Sequence, residues 1–406
     1  MKRKLLVVIM AIAVGAEVLA VAKDGNNQKK SETINSSIDT AIVDASTSIL
    51  KFSPLGDDSA KVTGYKEENP TSIDIPSKVK IDGKVYKVTS IGWHAFNGCS
   101  SLTSIKIPES VTSIGDNAFE YCSSLTSIKI PEGVTRIGDN AFAYCRSLTS
   151  ITIPESVTRI GDNAFEYCSS LKNITIPERV TSIGDNAFEY CSSLTSITIP
   201  EGVTRIGYQA FAGCSSLKSI TIPKGVTSIG DWAFDGCDEL PPHLLVYDKG
   251  TKCYGWVGDI SKCIEVTIPE GVTSIGDCAF DECSSLTSIM IPEGVTRIGY
   301  QAFRDCSSLT SITIPKSVTR IDNQAFRDCS SLTSITIPKN VTRIGDWAFV
   351  GCSSLKSIKI PKRVTSIGDQ AFAGCKNLDV VIDNKEQNVK IEYGAFNDCK
   401  SVKFLK

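Results

Sequence analysis

Hydrophobic residues recur with a period of 23 residues along most of this 406-residue chain. Within the unit 122–144 the apolar positions are Cys122, Leu125, Ile128, Ile130, Val134, Ile137, Ala141 and Phe142. The Ala-Phe pair occurs thirteen times between Ala95 and Phe396, and a cysteine stands three residues after each phenylalanine. A fixed period of this length predicts a solenoid, in which each coil (here called a rung) packs only against its neighbours.

Each repeat carries signals for two strands and a turn. Its Leu-x-x-Ile-x-Ile segment predicts a strand of a parallel sheet, and Pro131 ends that strand because proline has no N–H to donate. Val134 and Ile137 predict a second short strand on another side of the coil. Gly138 permits a turn, and the Asp-Asn pair after it predicts the cap of a short helical turn that carries the Ala-Phe pair.

Stacking these repeats predicts an α/β-type solenoid, mostly β with short helical turns. We expect a curved parallel-sheet arc of about fourteen rungs, on the order of 65 Å long, because neighbouring strands lie about 4.8 Å apart. One repeat alone buries too little apolar surface to offset the entropy of ordering its chain. The predicted organisation is a signal peptide at 1–22, a flexible leader at 23–40, an N-terminal β cap at 41–88, a first array at 89–237, a degenerate repeat at 238–264, and a second array with a C-terminal cap at 265–406.

The N-terminus has the pattern of a secretory signal. Three basic residues, 2–4, precede the apolar run Leu5–Ala16, and the Ala-Val-Ala sequence ending at residue 22 is a cleavage site of the usual kind. A membrane anchor is the alternative. Because Leu5–Ala22 has the minimum spanning length and is interrupted by Glu17, export with cleavage is favoured. We therefore predict a secreted or cell-surface protein with no transmembrane segment after cleavage.

Two segments depart from the repeat. Residues 48–52 and 84–88 alternate as strands do, and Asp82-Gly83 predicts a hairpin turn, so we expect a β cap over the first rung. Residues 238–264 interrupt the repeat but preserve a double interval. We predict one degenerate rung there, with Cys263 in the leucine position and Trp256-Val257 in place of Ala-Phe.

The repeat unit resembles a known family. Its Cys-Ser-Ser-Leu, Ile-Pro, Val-Thr-x-Ile-Gly and Ala-Phe motifs are closely similar to leucine-rich repeats of the BspA type over about residues 70–400. Such repeats occur in surface and secreted proteins of bacteria and some protists, several of which act as adhesins, so the resemblance implies a leucine-rich-repeat solenoid with an adhesive role. One column departs from the general leucine-rich pattern, because Ser110, Gly133, Arg179 and Asn340 replace the usual Asn or Cys. No asparagine ladder is therefore assumed.

The chain has sixteen cysteines, which in an exported protein first suggest disulfides. Thirteen of them lie in one column, where the side chains of neighbouring rungs run parallel, so we predict buried free thiols instead. Cys253, Cys263 and Cys278 lie outside that column. A Cys253–Cys263 bridge that fastens the degenerate rung is one alternative for that pair, and free thiols are the other.

The sequence offers little for catalysis or metal binding. Only His94 and His243 could serve a Ser-His-Asp or Cys-His arrangement, and neither has a distinctive neighbourhood. There is no Cys-x-x-Cys pair, and the Gly-Asp-Asn repeats match neither an EF-hand nor the nonapeptide calcium repeat. We predict no enzymatic activity, catalytic residue, metal or cofactor. With a net charge of −2 the chain gives no reason to expect nucleic acid as a partner.

Surface pattern carries the remaining information. Polar residues occupy the outward positions of the first strand, where we expect them to line a concave binding face or, alternatively, a merely soluble β surface. The candidate binding residues are Lys106, Lys129, Thr152, Thr175, Thr198, Thr221, Lys224, Thr313, Lys316, Thr336, Lys339, Lys359 and Lys362.

The column after the proline changes sign along the chain. It contains Glu109, Glu132, Glu155, Glu178, Glu201, Lys224, Glu270, Glu293, Lys316, Lys339 and Lys362. A polarised column suits either a basic patch for an acidic ligand or antiparallel docking of two copies; duplication of neighbouring repeats also produces such blocks. We predict an exported protein that binds an extracellular protein or glycan, with a passive spacer or a weakly self-associating surface layer as the alternative.

Overall fold

A computed structural model describes residues 42–56, 58–66, 70–247 and 250–405. The predicted signal peptide and leader lie outside these residues. The described chain forms a solenoid of parallel strands, as the period predicts, and each rung contributes up to two strands to it. In these residues helix is confined to two single 3-10 turns, Ile260–Lys262 and Glu386–Asn388, and no helix could span a membrane.

The second strand of each rung, here the B strand, is two residues long and forms the more continuous sheet. Except in the last strand, Lys390–Ile391, its isoleucine is buried in the core and its Arg or Ser is on the outer side. The B strands are Ser113–Ile114, Arg136–Ile137, Arg159–Ile160, Ser182–Ile183, Arg205–Ile206, Ser228–Ile229, Ser274–Ile275, Arg297–Ile298, Arg320–Ile321, Arg343–Ile344, Ser366–Ile367 and Lys390–Ile391. They pair in register, rung on rung, within an eleven-stranded sheet and an eight-stranded sheet.

The first strand of each rung, here the A strand, comes from the Ile-x-Ile segment and pairs in shorter groups. In one rung the A strand is reduced to two isolated bridges, from Asn173 to Ser150 and to Ser196. The A strands are Ser104–Lys106, Ser127–Lys129, Ser150–Thr152, Ser196–Thr198, Ser219–Thr221, Glu265–Thr267, Ser288–Met290, Ser311–Thr313, Ser334–Thr336, Ser357–Ile360, Asp379–Ile382 and Ser401–Phe404. The side that carries the leucine-rich motif is thus the less regular of the two.

The N-terminal segment covers the first rung with its own strands. These are Val43–Asp44, Leu50–Pro54, Ser59–Tyr65, Ser72–Asp74, Lys78–Ile81 and Lys84–Ile91. The predicted hairpin is confirmed: Lys78–Ile81 and Lys84–Ile91 pair antiparallel, and Asp82 and Gly83 between them have φ of 48° and 85°. Both central residues are in the left-handed region, which matches the right-handed twist of the flanking strands.

The corner that carries Ala-Phe forms a series of hydrogen-bonded reverse turns, shorter than the predicted helical turn. The N–H of Ala141 donates to the Gly138 carbonyl, and the N–H of Cys145 donates to the Phe142 carbonyl. Asn140 and Tyr144 have φ of 55° and 61°, and these left-handed residues prevent consecutive helical residues. The same two columns are left-handed in most other rungs.

Three ladders connect the rungs inside the solenoid. Phenylalanine rings of successive rungs stack with centroids 5.0–5.6 Å apart. Eleven of the thirteen column thiols donate to the phenylalanine carbonyl of the preceding rung, as Cys145 does to Phe119 at 3.2 Å. The aspartate after the glycine accepts the N–H of its counterpart in the next rung; Asp139 Oδ1 receives the N–H of Asp162 at 3.0 Å. The burial of the thiols is predictable from the sequence pattern, whereas their acceptor and the aspartate ladder are not.

The thiols are buried and free. Fifteen of the sixteen cysteines are buried and Cys399 is half-buried, and none is in a disulfide. Cys253 and Cys263, the candidate bridge pair, are both free thiols. Burial raises the pKa of the Cys329 and Cys375 thiols to about 12, so these groups stay protonated at neutral pH.

Residues 238–264 replace a rung by a β hairpin. His243–Tyr247 pairs antiparallel with Lys252–Val257, and the second of these strands joins the next B strand. The hairpin makes no backbone pairing with the preceding B strand, Ser228–Ile229. Tyrosine hydroxyls bridge this junction instead. The Tyr254 hydroxyl accepts the N–H of Ile229 at 3.3 Å, and the Tyr247 hydroxyl donates to the Ile222 carbonyl at 3.2 Å. The buried core accordingly divides into two clusters.

We predict that the phenylalanine stack stabilises the fold less beside this junction than within an array. Phe188 stacks on two rings, whereas Phe234 stacks only on Phe211. Phe188→Ala should lower the free energy of unfolding by about 3–5 kcal/mol. The loss caused by Phe234→Ala should be smaller than that caused by Phe188→Ala by about 0.5–1.5 kcal/mol, which is the contribution of one aromatic pair beyond its buried area. Urea unfolding measures both; an equal or larger loss at Phe234 would contradict the prediction.

We also predict the oxidation state of the cysteines. Unfolding the protein in guanidinium without reductant should expose sixteen thiols to a maleimide reagent, because none is bonded in the fold. The folded protein should label at most at Cys399, since burial blocks access and raises the pKa of the column thiols. Mass spectrometry counts the adducts, with a reduced sample as the control. A shortfall of two or more adducts without reductant would show that disulfides form.

Candidate ligand-binding face

The outward positions of the A strands and the turns after them form one polar face. In most A strands the central aliphatic residue is buried and the residues on either side point to solvent, as the burial pattern of Ser311–Thr313 shows. All thirteen candidate binding residues are exposed. Thr175 lies in the rung whose A-strand pairing is reduced to the two isolated bridges of Asn173.

Ion pairs divide the candidate lysines into two groups. Lys106 pairs with Asp74 at 3.7 Å, and Lys129 pairs with Glu109 at 3.2 Å. Lys359 pairs with Asp383 at 2.9 Å. By contrast, Lys224, Lys316, Lys339 and Lys362 have no ion pair within the described chain. The last three lie in successive rungs of the second array.

Two adjoining hollows lie among the candidate residues of the second array. Their volumes are about 560 and 420 Å³, and both are lined by Thr336, Ile337, Lys339 and Asn340. We call this region the basic furrow and define it by Thr313, Lys316, Thr336, Lys339, Lys359 and Lys362. Its walls carry five cationic and two acidic side chains. The volumes lie within the ~300–1,000 Å³ range of small-molecule sites.

The furrow also contains residues that the sequence pattern did not single out. Asn340 donates from Nδ2 to the Lys316 carbonyl at 2.9 Å, and Arg363 donates to the side-chain oxygen of Asn340 at 3.3 Å. These bonds order the floor between two rungs. Arg363 belongs to the variable column that holds Ser110 and Gly133 in other repeats, so its column does not mark it as a binding residue. Its exposed position beside Lys362 is what places it in the furrow.

The two histidines occupy separate places. His94 is an exposed, left-handed residue whose ring centroid lies 3.9 Å from that of Trp93. His243 begins the hairpin, where its Nδ1 lies 2.7 Å from the Pro241 carbonyl oxygen. Neither ring has a hydrogen bond to a serine, cysteine or carboxylate side chain among the described residues. No group of three His, Cys, Asp or Glu side chains suited to a metal ion occurs in the same part of the chain.

Comparison with known proteins identifies the repeat. A family model described as the BspA type leucine rich repeat region matches six copies, over residues 65–195, 181–242 and 258–379. No curated protein sequence matches the chain.

Solved structures agree with this family. A leucine rich cell surface protein from Faecalibacterium prausnitzii is 36% identical, with a TM-score of 0.67 over 84% of this chain and 94% of its own. A leucine-rich repeat protein from Bacteroides ovatus is 30% identical, with a TM-score of 0.52 over 85% and 98%. The pneumococcal vaccine antigen PcpA shares the fold at 22% identity, with a TM-score of 0.57 over 84% and 86%. The chain therefore belongs to the family of BspA-type leucine-rich repeat proteins.

Proposed function

We propose that this protein is exported to the cell surface or secreted, and that it binds an acidic extracellular protein or glycan, as an adhesin does. The observation that carries the proposal is the basic furrow, where three unpaired lysines in successive rungs border two hollows. Catalysis and cofactors have no part in this function.

The spacing of the lysines supports a repeating ligand. Lys316, Lys339 and Lys362 occupy one column, 23 residues apart, so successive ammonium groups stand about one rung, roughly 5 Å, from the next. Like charges this close repel each other, and an anionic ligand relieves that repulsion. A ligand with several carboxylate, sulfate or phosphate groups in a row suits such a column.

The relatives support the location. The matched structure from Faecalibacterium prausnitzii is described as a cell surface protein, and PcpA is described as a vaccine antigen. The sequence of residues 1–22 adds a signal for export.

The alternative is a spacer or self-associating surface protein without a foreign ligand. Glutamates occupy the same column in the first array, from Glu109 to Glu201, and lysines occupy it at the other end. Two copies docked antiparallel would bring these opposite charges together. Sedimentation separates the hypotheses: a mass that rises with concentration and falls in salt favours self-association, whereas a monomer at all concentrations removes it.

We predict that the variant Lys316→Glu, Lys339→Glu, Lys362→Glu loses ligand capture without unfolding. Each lysine is exposed, so the fold should keep its unfolding midpoint, while the furrow becomes acidic and repels its ligand. Capture by immobilised extracellular-matrix proteins, acidic glycans and whole cells measures the effect, at low and moderate salt. Wild-type capture should weaken as salt screens the charges.

The matched control is Lys106→Glu, Lys129→Glu, Lys224→Glu. It makes the same change in net charge on the same face, outside the furrow, and should retain most of the capture. Equal loss in both variants would show that overall charge, rather than the furrow, holds the ligand. Silence of the folded wild-type protein across the panel would contradict the proposal and favour the spacer.

A further inference from the structure

A backbone ladder runs along the turn corner of the solenoid. In each regular rung three N–H groups at alternate positions donate to carbonyls of the next rung. Phe211 N–H, for example, donates to the Ala233 carbonyl at 2.8 Å, flanked by equivalent bonds from Gln209 and Gly213. The same three bonds recur in the regular rungs of both arrays.

This ladder opens at the junction before the hairpin. In the described chain, the N–H groups of Trp232, Phe234 and Gly236 make no hydrogen bond to a carbonyl of another rung. The hairpin strand follows the next rung instead, since Trp256 N–H donates to the Ala279 carbonyl at 2.9 Å. The N–H groups of Trp232 and Phe234 are therefore left without a partner in the next rung, whereas the N–H of the exposed Gly236 bonds to the Asp235 carboxylate.

Beside these groups is the junction gap, a cavity of about 370 Å³ that Trp232 lines; it adjoins a smaller cavity of about 50 Å³ that both Trp232 and Phe234 line. The lining includes Trp232, Asp235, Trp256, Asp281, Glu282 and Arg304. The larger volume lies within the ~300–1,000 Å³ range of small-molecule sites. The cavity is separate from the basic furrow, because the two have no lining residue in common.

Two tryptophan rings in this wall are held in place. Trp232 is left-handed, with φ of 56°, and its ring packs edge-on against Tyr208 with centroids 5.3 Å apart. Trp256 donates its indole N–H to the Asp259 carbonyl at 3.2 Å. Both rings are half-buried, so each keeps an accessible surface beside the gap.

The polar groups of the wall are partly paired. Arg304 forms a bidentate pair with Asp281, at 2.6 and 2.8 Å, and also reaches Glu282 at 3.0 Å. Asp235 is exposed at the rim and has no ion pair in the described chain; partial desolvation and the nearby Glu282 raise its pKa, although the Gly236 N–H that bonds to its carboxylate opposes this shift. The wall thus offers carboxylate acceptors beside the backbone N–H groups of Trp232 and Phe234, with a net negative charge.

We infer that this junction gap binds a neutral sugar residue. Sugar hydroxyls both donate and accept, so they suit backbone N–H groups and a carboxylate in one cavity. The apolar face of a sugar ring packs on an indole, as other apolar groups do. The excess of carboxylates disfavours acidic sugars. This site is independent of the furrow and does not rest on the function proposed for it.

The test uses Trp232→Asn in the full chain. Asparagine occupies the same left-handed column at Asn117, Asn140, Asn163 and Asn186, so the variant should keep the fold while losing the aromatic wall. Trp347→Asn is the matched control, because Trp347 is left-handed in the same column of a regular rung with a complete ladder.

The probe is an array of neutral oligosaccharides built from glucose, galactose, mannose and N-acetylhexosamines, followed by calorimetry. We expect capture of at least one of them, little changed by salt, and weakened about tenfold or more by Trp232→Asn, as loss of one stacking contact implies. Trp347→Asn and the triple lysine variant of the furrow should bind as the wild type does. Loss of sugar binding in Trp232→Asn alone would support the junction site even if the furrow binds no ligand.

Three outcomes would overturn the inference. The folded wild type could bind no neutral oligosaccharide, or Trp232→Asn could bind as tightly as Trp347→Asn, which would place the sugar elsewhere. Alternatively, spermine, a polycation used as a probe, could bind in place of the neutral sugars. Its binding would then be weakened by Trp232→Asn and by salt. The gap would then be a site for a cation.

Discussion

The hydrogen bonds and stacked rings between equivalent residues of successive rungs are the interaction on which this structure depends. Each inward-facing position lies about 5 Å from its counterpart in the next rung, so a buried side chain must pack well against another of its kind. Phenylalanine meets this condition by stacking, and cysteine by donating to the carbonyl of the preceding rung. The aspartate column meets it because its carboxylate accepts a backbone N–H.

The same constraint explains why unlike chemistry is found only where the stacking changes. Identical rungs give lines of identical groups, such as the lysine column of the basic furrow, which suit a repeating ligand. A pocket with several kinds of polar group needs a break in the repeat. The hairpin at Lys252–Val257 supplies one: it opens the corner ladder and places Trp232 and Trp256 beside unlike polar groups.

The repeat made most of the fold predictable. The apolar columns, the parallel pairing, the buried free thiols and the hairpin at Asp82-Gly83 all follow from spacing and residue type. The turn corner was harder, because left-handed Asn140 and Tyr144 end what the sequence favours as helix. The B strands form the more regular sheet, although their two-residue Arg-Ile motif is too short to be a strong strand signal in the sequence. The ladder bonds of Asp139 and Cys145 depend on how each rung is offset from its neighbour, and the sequence of one repeat carries no information about that offset.

The candidate sites were less predictable, for a related reason. The sequence identified the exposed lysine column but not which members are paired, since Lys106 reaches Asp74 in the cap, far away in the chain. It also gave no sign of the junction gap, which arises from the register of the hairpin.

Amide hydrogen exchange, followed residue by residue, tests most directly whether bonds between rungs hold the solenoid together. The N–H groups of Gln209, Phe211 and Gly213 should exchange only when the array opens, whereas those of Trp232, Phe234 and Gly236 should exchange far faster. Equal protection of the two sets would contradict the account, because it would mean either that the ladder crosses the junction or that it does not determine local stability.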